Sequence, residues 1–126
     1  AGNIVDPDFG DEPDPRTGLV GCEDVVPPDA KFQAHMAPLG ITDGDDGAVI
    51  AFHGSWNRSE KVGYEVWWLP WDDGPVGPPV TLVGGFLDPE TGDASGRPAG
   101  VTVGGDGALY VSDDKGGYIY RVVTEE

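Results

Sequence analysis

The stretch Ala37–His53, APLGITDGDDGAVIAFH, returns sixty positions later as Arg97–Asp113, RPAGVTVGGDGALYVSD. Laid together without a gap, Pro38 meets Pro98, Gly40 meets Gly100, Thr42 meets Thr102, Gly44 meets Gly104, and Asp46-Gly47-Ala48 meets Asp106-Gly107-Ala108. Each copy has a short alternating run, a Gly/Asp corner and a second run, the pattern of a β-hairpin whose turn needs a positive φ. A third run follows each copy, Gly63-Tyr64-Glu65-Val66-Trp67 in the first and Gly117-Tyr118-Ile119-Tyr120-Arg121 in the second. A repeat of antiparallel strands at this spacing points to propeller blades or a similar β-array, because one such sheet cannot bury both faces alone. Two copies fall short of a closed ring. The reading is therefore a partial β-propeller, about two antiparallel four-stranded blades, completed by blades from a longer parent or from other copies of the chain.

The runs place strands at 38–42, 48–53, 63–70 and 80–86 in the first blade and at 98–103, 108–112 and 117–123 in the second. The class is all-β, since no stretch carries helical periodicity. Asp72-Asp73-Gly74 supplies the corner between the third and fourth strands of the first blade. Residues 31–34 read as a short strand entering the first repeat. Upstream, Asp6-Pro7, Asp14-Pro15 and Pro27-Pro28 break any regular element, so 1–29 reads as an extended loop or long insertion. The organisation is thus a Pro/Asp-rich extended segment over 1–34, a blade with a long loop between its second and third strands over 35–96, and a second, incomplete blade over 97–126. The second blade has no fourth run. Its open third strand is expected to be covered by a strand from the parent or from another copy, which would make a homo-oligomer.

Seven Lys and Arg against 23 Asp and Glu give a net charge of −16, spread along the chain rather than gathered in a tail. Such a field opposes nucleic acid and anionic membrane surfaces as partners. It suits a protein of high-salt surroundings, a halophilic setting where ions screen the self-repulsion, or else an acidic secreted protein. The single Cys22 has no intramolecular disulfide partner, and no Cys/His cluster has zinc-site spacing. Residues 1–10 lack the basic start and apolar run of a signal peptide. Asp43, Asp45 and Asp46 in one turn, and Asp113-Asp114 in a loop, invite a calcium reading. The first lacks an EF-hand's loop spacing and distal Glu, and turn chemistry accounts for the Asp-Gly pairs equally well, so no metal ligand is assigned.

The two copies part company between the second and third runs. The first has Gly54-Ser55-Trp56-Asn57-Arg58-Ser59-Glu60-Lys61-Val62 and the second only Asp114-Lys115-Gly116, six residues fewer. In an up-and-down blade this loop and the segment leading into the first strand emerge on the same side. His35, residues 55–61, Arg97 and residues 113–115 are therefore expected on one face. That face would gather Arg58, Lys61, Arg97 and Lys115, four of the seven cations. A cationic, aromatic-bearing mouth suits a flat, anionic small molecule, with Arg pairing carboxylates and Trp56 stacking against it or walling the pocket. Each residue also has a plainer reading: Trp56 capping the sheet, Asn57 shaping a turn, Arg58 and Lys61 pairing with nearby acids, His35 satisfying a carbonyl.

The segments His35-Met36-Ala37-Pro38-Leu39-Gly40, Ala51-Phe52-His53-Gly54-Ser55-Trp56-Asn57-Arg58, Gly84-Gly85-Phe86-Leu87, Gly96-Arg97-Pro98-Ala99-Gly100-Val101 and 106–114 together resemble the C-terminal part of the glucose/sorbosone dehydrogenase family. The resemblance covers about 24–123. It implies a six-bladed propeller that binds pyrroloquinoline quinone (PQQ), usually with calcium, and oxidises sugars or other aldoses by hydride transfer to the quinone. It further implies cofactor contacts at His35, at Trp56, Asn57, Arg58 and Lys61, where the family carries a lysine loop, and at Arg97. Family resemblance also implies an extracellular or periplasmic setting. The family's base histidine and calcium-binding backbone lie upstream of the matched part, and no carboxylate partner for His35 or His53 can be assigned from sequence, so no catalytic residue is assigned. The expected role is a C-terminal segment that supplies cofactor-side residues. The alternative is a non-enzymatic blade module that binds a small molecule or assembles into a ring, since propellers host many activities.

The salt-adapted reading carries a direct outcome. Transfer from molar salt to a dilute buffer is expected to lose β-sheet ellipticity, because unscreened repulsion among the carboxylates then opposes the compact state. Circular dichroism that is unchanged across that transfer sinks the reading.

Overall fold

The computed structural model describes residues 15, 16, 18 and 26–123. The chain divides into two units, 1–31 and 32–126. In the first, the described residues form no strand or helix, and Pro15 and Arg16 lie in a turn. The rest of the expected 1–29 loop lies outside the described residues.

The second unit holds seven strands: β1 (Pro38–Gly44), β2 (Gly47–Phe52), β3 (Glu65–Pro70), β4 (Val80–Val83), β5 (Pro98–Val103), β6 (Leu109–Asp113) and β7 (Tyr118–Val122). They form two antiparallel meanders, a four-stranded sheet ordered β1-β2-β3-β4 and a three-stranded sheet ordered β5-β6-β7. No helix occurs among the described residues, and none is long and apolar enough to cross a membrane. The repeat seen in the letters is a repeat in space. Register slips between Pro38 and Gly40 in one copy and between Pro98 and Val101 in the other, so the same bulge follows the same proline. The corners differ in detail. The left-handed residue is Asp46 (φ 50°) in the first and Gly107 (φ 78°) in the second, as Asp tolerates that region by bonding locally while Gly enters it freely.

Side chains alternate across each sheet, which gives both a common core. Val49 and Ala51 of β2, Val66 and Trp68 of β3, and Val83 of β4 face Val101 of β5, Leu109 and Val111 of β6, and Tyr120 and Val122 of β7. Ala51, Val66 and Val111 are fully buried, each of the two valines contributing about 2 kcal/mol by leaving water. The opposite face of the first sheet carries an aromatic cluster, with Phe52 4.9 Å from Phe32 and 4.7 Å from Trp67 between ring centroids. At the inner edge β1 and β5 approach backbone to backbone. A Cβ at Gly40 would lie 2.6 Å from the Ala99 carbonyl oxygen and 2.9 Å from the Val101 nitrogen. Only a residue without a side chain fits that crossing.

Three expectations are corrected. Residues 31–34 form no strand; the chain instead turns at 34–35, where His35 (φ 71°) and Ala37 (φ 53°) are left-handed and end any extension. The third strand begins at Glu65 rather than 63, because Gly63 (φ 87°) and Tyr64 (φ 63°) bend the entry. The fourth ends at Val83 rather than 86, where Gly85 (φ 85°) turns Phe86 away to accept from the Ser95 amide at 2.8 Å. Among the described residues no strand lies beyond β7, where Tyr118 and Ile119 are 63% and 74% exposed.

Gly40→Ala is expected to lower unfolding free energy by about 1–3 kcal/mol through overpacking at the β1–β5 crossing. Gly105→Ala, where an added Cβ meets nothing within 4 Å, should stay within about 0.5 kcal/mol of the parent. Urea denaturation midpoints read both.

Candidate functional site

At the end of the sheets where β2 hands over to the long loop, a cavity of about 560 Å³ is lined by His53, Ser55, Trp56, Lys61, Tyr64, Ala94, Arg97, Asp114 and Lys115. Its floor begins with three residues to which sequence alone gave no part in the site. Gly54 (φ 94°) and Gly63 lie against each other, and a Cβ on Gly54 would sit 2.5 Å from the Tyr64 ring. With that space open, buried Tyr64 folds beneath the loop and donates its hydroxyl to the Ser55 carbonyl. Ser55, 2% exposed, closes the loop base: its amide donates to the Val62 carbonyl (2.9 Å) and its Oγ accepts from the Val62 amide (3.1 Å).

Arg97 crosses from the second blade to the first. Its Nε donates to the His53 carbonyl at 3.0 Å and its Nη2 to the carbonyls of Gly54 and Ser55, while the guanidinium carbon lies 5.4 Å from the centre of the Tyr64 ring. Stacking and carbonyl contacts of this kind fix the planar cation in place without neutralising it. Lys61 donates to the Gly92 carbonyl, which ties the long loop to the segment between β4 and β5. Among the described residues no carboxylate lies within ion-pairing distance of Arg97, Lys61 or Lys115.

Asp113 underpins the second-blade side. Its carboxylate, 2% exposed, accepts from the amides of Arg97 (2.8 Å), Lys115 (3.0 Å) and Gly116 (2.8 Å) and from the Tyr120 hydroxyl (3.1 Å). Burial opposes its ionisation, but the hydrogen bonds from Gly116, Arg97, Tyr120 and Lys115 outweigh that and hold its pKa below the ordinary carboxylate value. The same arrangement, with burial first and the bond to Asp113 second, pushes the Tyr120 hydroxyl up. Next to it Asp114 reaches back across the blades, with its two oxygens 2.8 and 3.0 Å from His53 Nε2. His53 is 19% exposed and Asp114 58%. A carboxylate at Nε2 calls for a hydrogen on that nitrogen, an assignment made from the partner.

The structure brings together three of the six residues singled out in the sequence, Trp56, Lys61 and Arg97. His35, Asn57 and Arg58 lie outside the cavity lining. Arg58 donates through Nε to the Glu60 carbonyl (2.7 Å) and through Nη1 to the Ala34 carbonyl (3.5 Å), so its guanidinium pins the loop to the turn before β1. His35 is exposed on that turn and Asn57 is exposed on the loop. Asp114 was expected on this face and Tyr64 in the third strand, neither with a role assigned; His53 stood as a histidine with no assignable carboxylate, and the partner proves to be sixty-one residues away. Asp43, Asp45 and Asp46 stay in the β1–β2 corner, and among the described residues no three His, Cys, Asp or Glu side chains converge as a metal-binding group.

The chain matches the model of the TrAA12-like family over residues 9–125. It is 35% identical to an uncharacterised protein of Borreliella burgdorferi, over 80% of this chain and 29% of that protein. Among solved structures it is similar to the PQQ domain of pyranose dehydrogenase from Coprinopsis cinerea in its holo form, with a TM-score of 0.57 and 30% identity over 68% of this chain and 26% of that one. It is also similar to a carbohydrate-active enzyme of family AA12 from Trichoderma reesei, in a structure with calcium, with a TM-score of 0.65 and 28% identity over 82% and 27% of the two chains. The chain thus spans under a third of the length of these proteins. The likeness bears out the reading of the two sheets as part of a PQQ-type propeller.

Asp113 sets a pH dependence. Its folded-state pKa lies below the unfolded value, so its contribution is complete above the ordinary carboxylate range and is lost as pH falls through the depressed value, from about pH 4 downward. Asp113→Asn is expected to remove about 1–3 kcal/mol at neutral pH and to flatten that part of the acid limb. Chemical denaturation at pH 7 and at steps below pH 4 measures both.

Proposed function

Because the chain belongs to the TrAA12-like family, we propose that it forms the cofactor-side blades of a PQQ-dependent oxidoreductase acting on sugars. The observation that carries this reading is the charge of the cavity. In a chain of net charge −16, Lys61, Arg97 and Lys115 border one hollow with no described carboxylate paired to them. A flat tricarboxylate suits such a set: a guanidinium fixed in place by backbone carbonyls and two ammonium groups as point charges. The residues present fit the group.

When bound, the quinone supplies a two-electron acceptor for the sugar's hydride. Arg97, held by three carbonyls and the Tyr64 ring, fixes the anion's position. Lys61 and Lys115 close on it from the two blades. Asp114 holds the His53 ring at Nε2, which fixes the imidazole where the cavity is lined by both residues. Arg58, Asn57 and His35 act on the loop and the turn behind it. The sugar class comes from the similar proteins, a pyranose dehydrogenase and a carbohydrate-active enzyme; glucose or sorbosone as the particular sugar rests on the resemblance in sequence alone. Calcium, present in the AA12 structure, has no group of ligands among the residues described here, and no step is assigned to it.

A second reading, assembly through strand addition, is supported by the open β7 edge with its exposed Tyr118, Ile119 and Val123. A strand from a longer parent or from another copy would complete the blade there.

Titration of the intact protein with PQQ, followed by quinone absorbance, is expected to saturate. Lys61→Gln and Lys115→Gln together should raise Kd about a hundredfold, roughly tenfold for each removed charge, with a shallower dependence on salt. Absence of binding, or a double variant that binds as the parent does, overturns the cofactor assignment.

A further inference from the structure

Trp56 stands 82% exposed at the rim of the cavity, on a loop that is fastened on both sides. Before it, Ser55 is buried and bonded to Val62 and to Tyr64. After it, Arg58 grips the carbonyls of Glu60 and Ala34, and Lys61 that of Gly92. An indole on a tethered loop gains nothing from burial in the fold and leaves a large apolar surface in water. Its place in the layering is informative. Arg97 is half-buried and Tyr64 buried, whereas Trp56 on the same hollow is 82% exposed. An anion drawn to the cations therefore leaves the indole the lining residue most open to a second ligand.

We infer that Trp56 is the platform on which the pyranose ring of the substrate stacks, not a wall of the cofactor site. This rests on the quinoprotein reading above for the choice of a sugar. A pyranose in a chair form presents one face of axial C–H bonds, apolar and slightly positive, which matches the negative face of an aromatic ring. Its equatorial hydroxyls point sideways, toward His53, Asp114 and Lys115 on the same cavity. An open-chain polyol with as many hydroxyls has no such face. Selection for ring sugars follows from shape at Trp56, with hydrogen bonding at the neighbouring polar groups.

The test titrates the intact protein with methyl β-glucopyranoside, cellobiose and sorbitol, with and without PQQ, and reads tryptophan fluorescence in the parent and calorimetric heat in the parent and both variants; PQQ affinity is measured separately by absorbance. Saturable quenching is expected with the two pyranosides and not with sorbitol. Trp56→Ala should raise the pyranoside Kd at least tenfold and Trp56→Phe two- to threefold, while PQQ affinity changes less than twofold in both. Equal quenching by sorbitol, an unchanged pyranoside Kd in Trp56→Ala, or no pyranoside response in the parent overturns the inference. So does a Trp56→Ala protein that loses PQQ affinity instead, an outcome that leaves the quinoprotein reading standing. Failure of PQQ to bind the parent while pyranosides still quench through Trp56 removes that reading and leaves the platform in place.

Discussion

The guanidinium of Arg97 is the joint on which the site depends. It leaves the second blade at the start of β5, crosses to the first, and takes up the carbonyls of His53, Gly54 and Ser55 where β2 gives way to the long loop. Those carbonyls have left the ladder and need donors; a buried carbonyl without one is unfavourable by an amount comparable to a lost hydrogen bond. Arg97 supplies the donors, and Tyr64 supports it from beneath. The left-handed backbone of Tyr64, a strained conformation for a residue with a side chain, is kept in place by this arrangement, in line with the way strained residues gather at working sites.

The same joint sits where the two repeats cease to match. In the gapless alignment Ala37 stands opposite Arg97, His53 opposite Asp113 and Gly54 opposite Asp114. Elsewhere the copies keep the leading proline, the bulge after it and the Asp-Gly-Ala corner, because each blade must present a like pleated face to its neighbour. At these positions they diverge, and the divergence is complementary: the acid of one copy reaches the imidazole of the other, and the cation of one reaches the carbonyls of the other. Duplication made the scaffold and asymmetry made the cavity.

Much of this was legible in the letters. Period-two runs separated by Asp-Gly corners gave the seven strands to within a few residues, and three of the misplaced bounds coincide with left-handed residues that bend the chain, at 35, 63–64 and 85. Loop length and blade connectivity were enough to bring Trp56, Lys61 and Arg97 to one cavity. His53 with Asp114 was not legible, because a pair separated by sixty-one residues has no spacing to read and the carboxylate belongs to the short loop of the other repeat. Arg58 is a different case. Its charge pointed to a ligand, but a guanidinium has enough donors to hold a loop on carbonyls alone, and that is where its contacts go.

Carbonyl dipoles orient the Arg97 cation yet leave its positive charge undischarged. The seam between the blades and the attraction for an anion are therefore properties of one group. An anion seated on it would pull on the same guanidinium that clasps the first blade to the second, so that by linkage its binding would be coupled to the packing of the blades on each other.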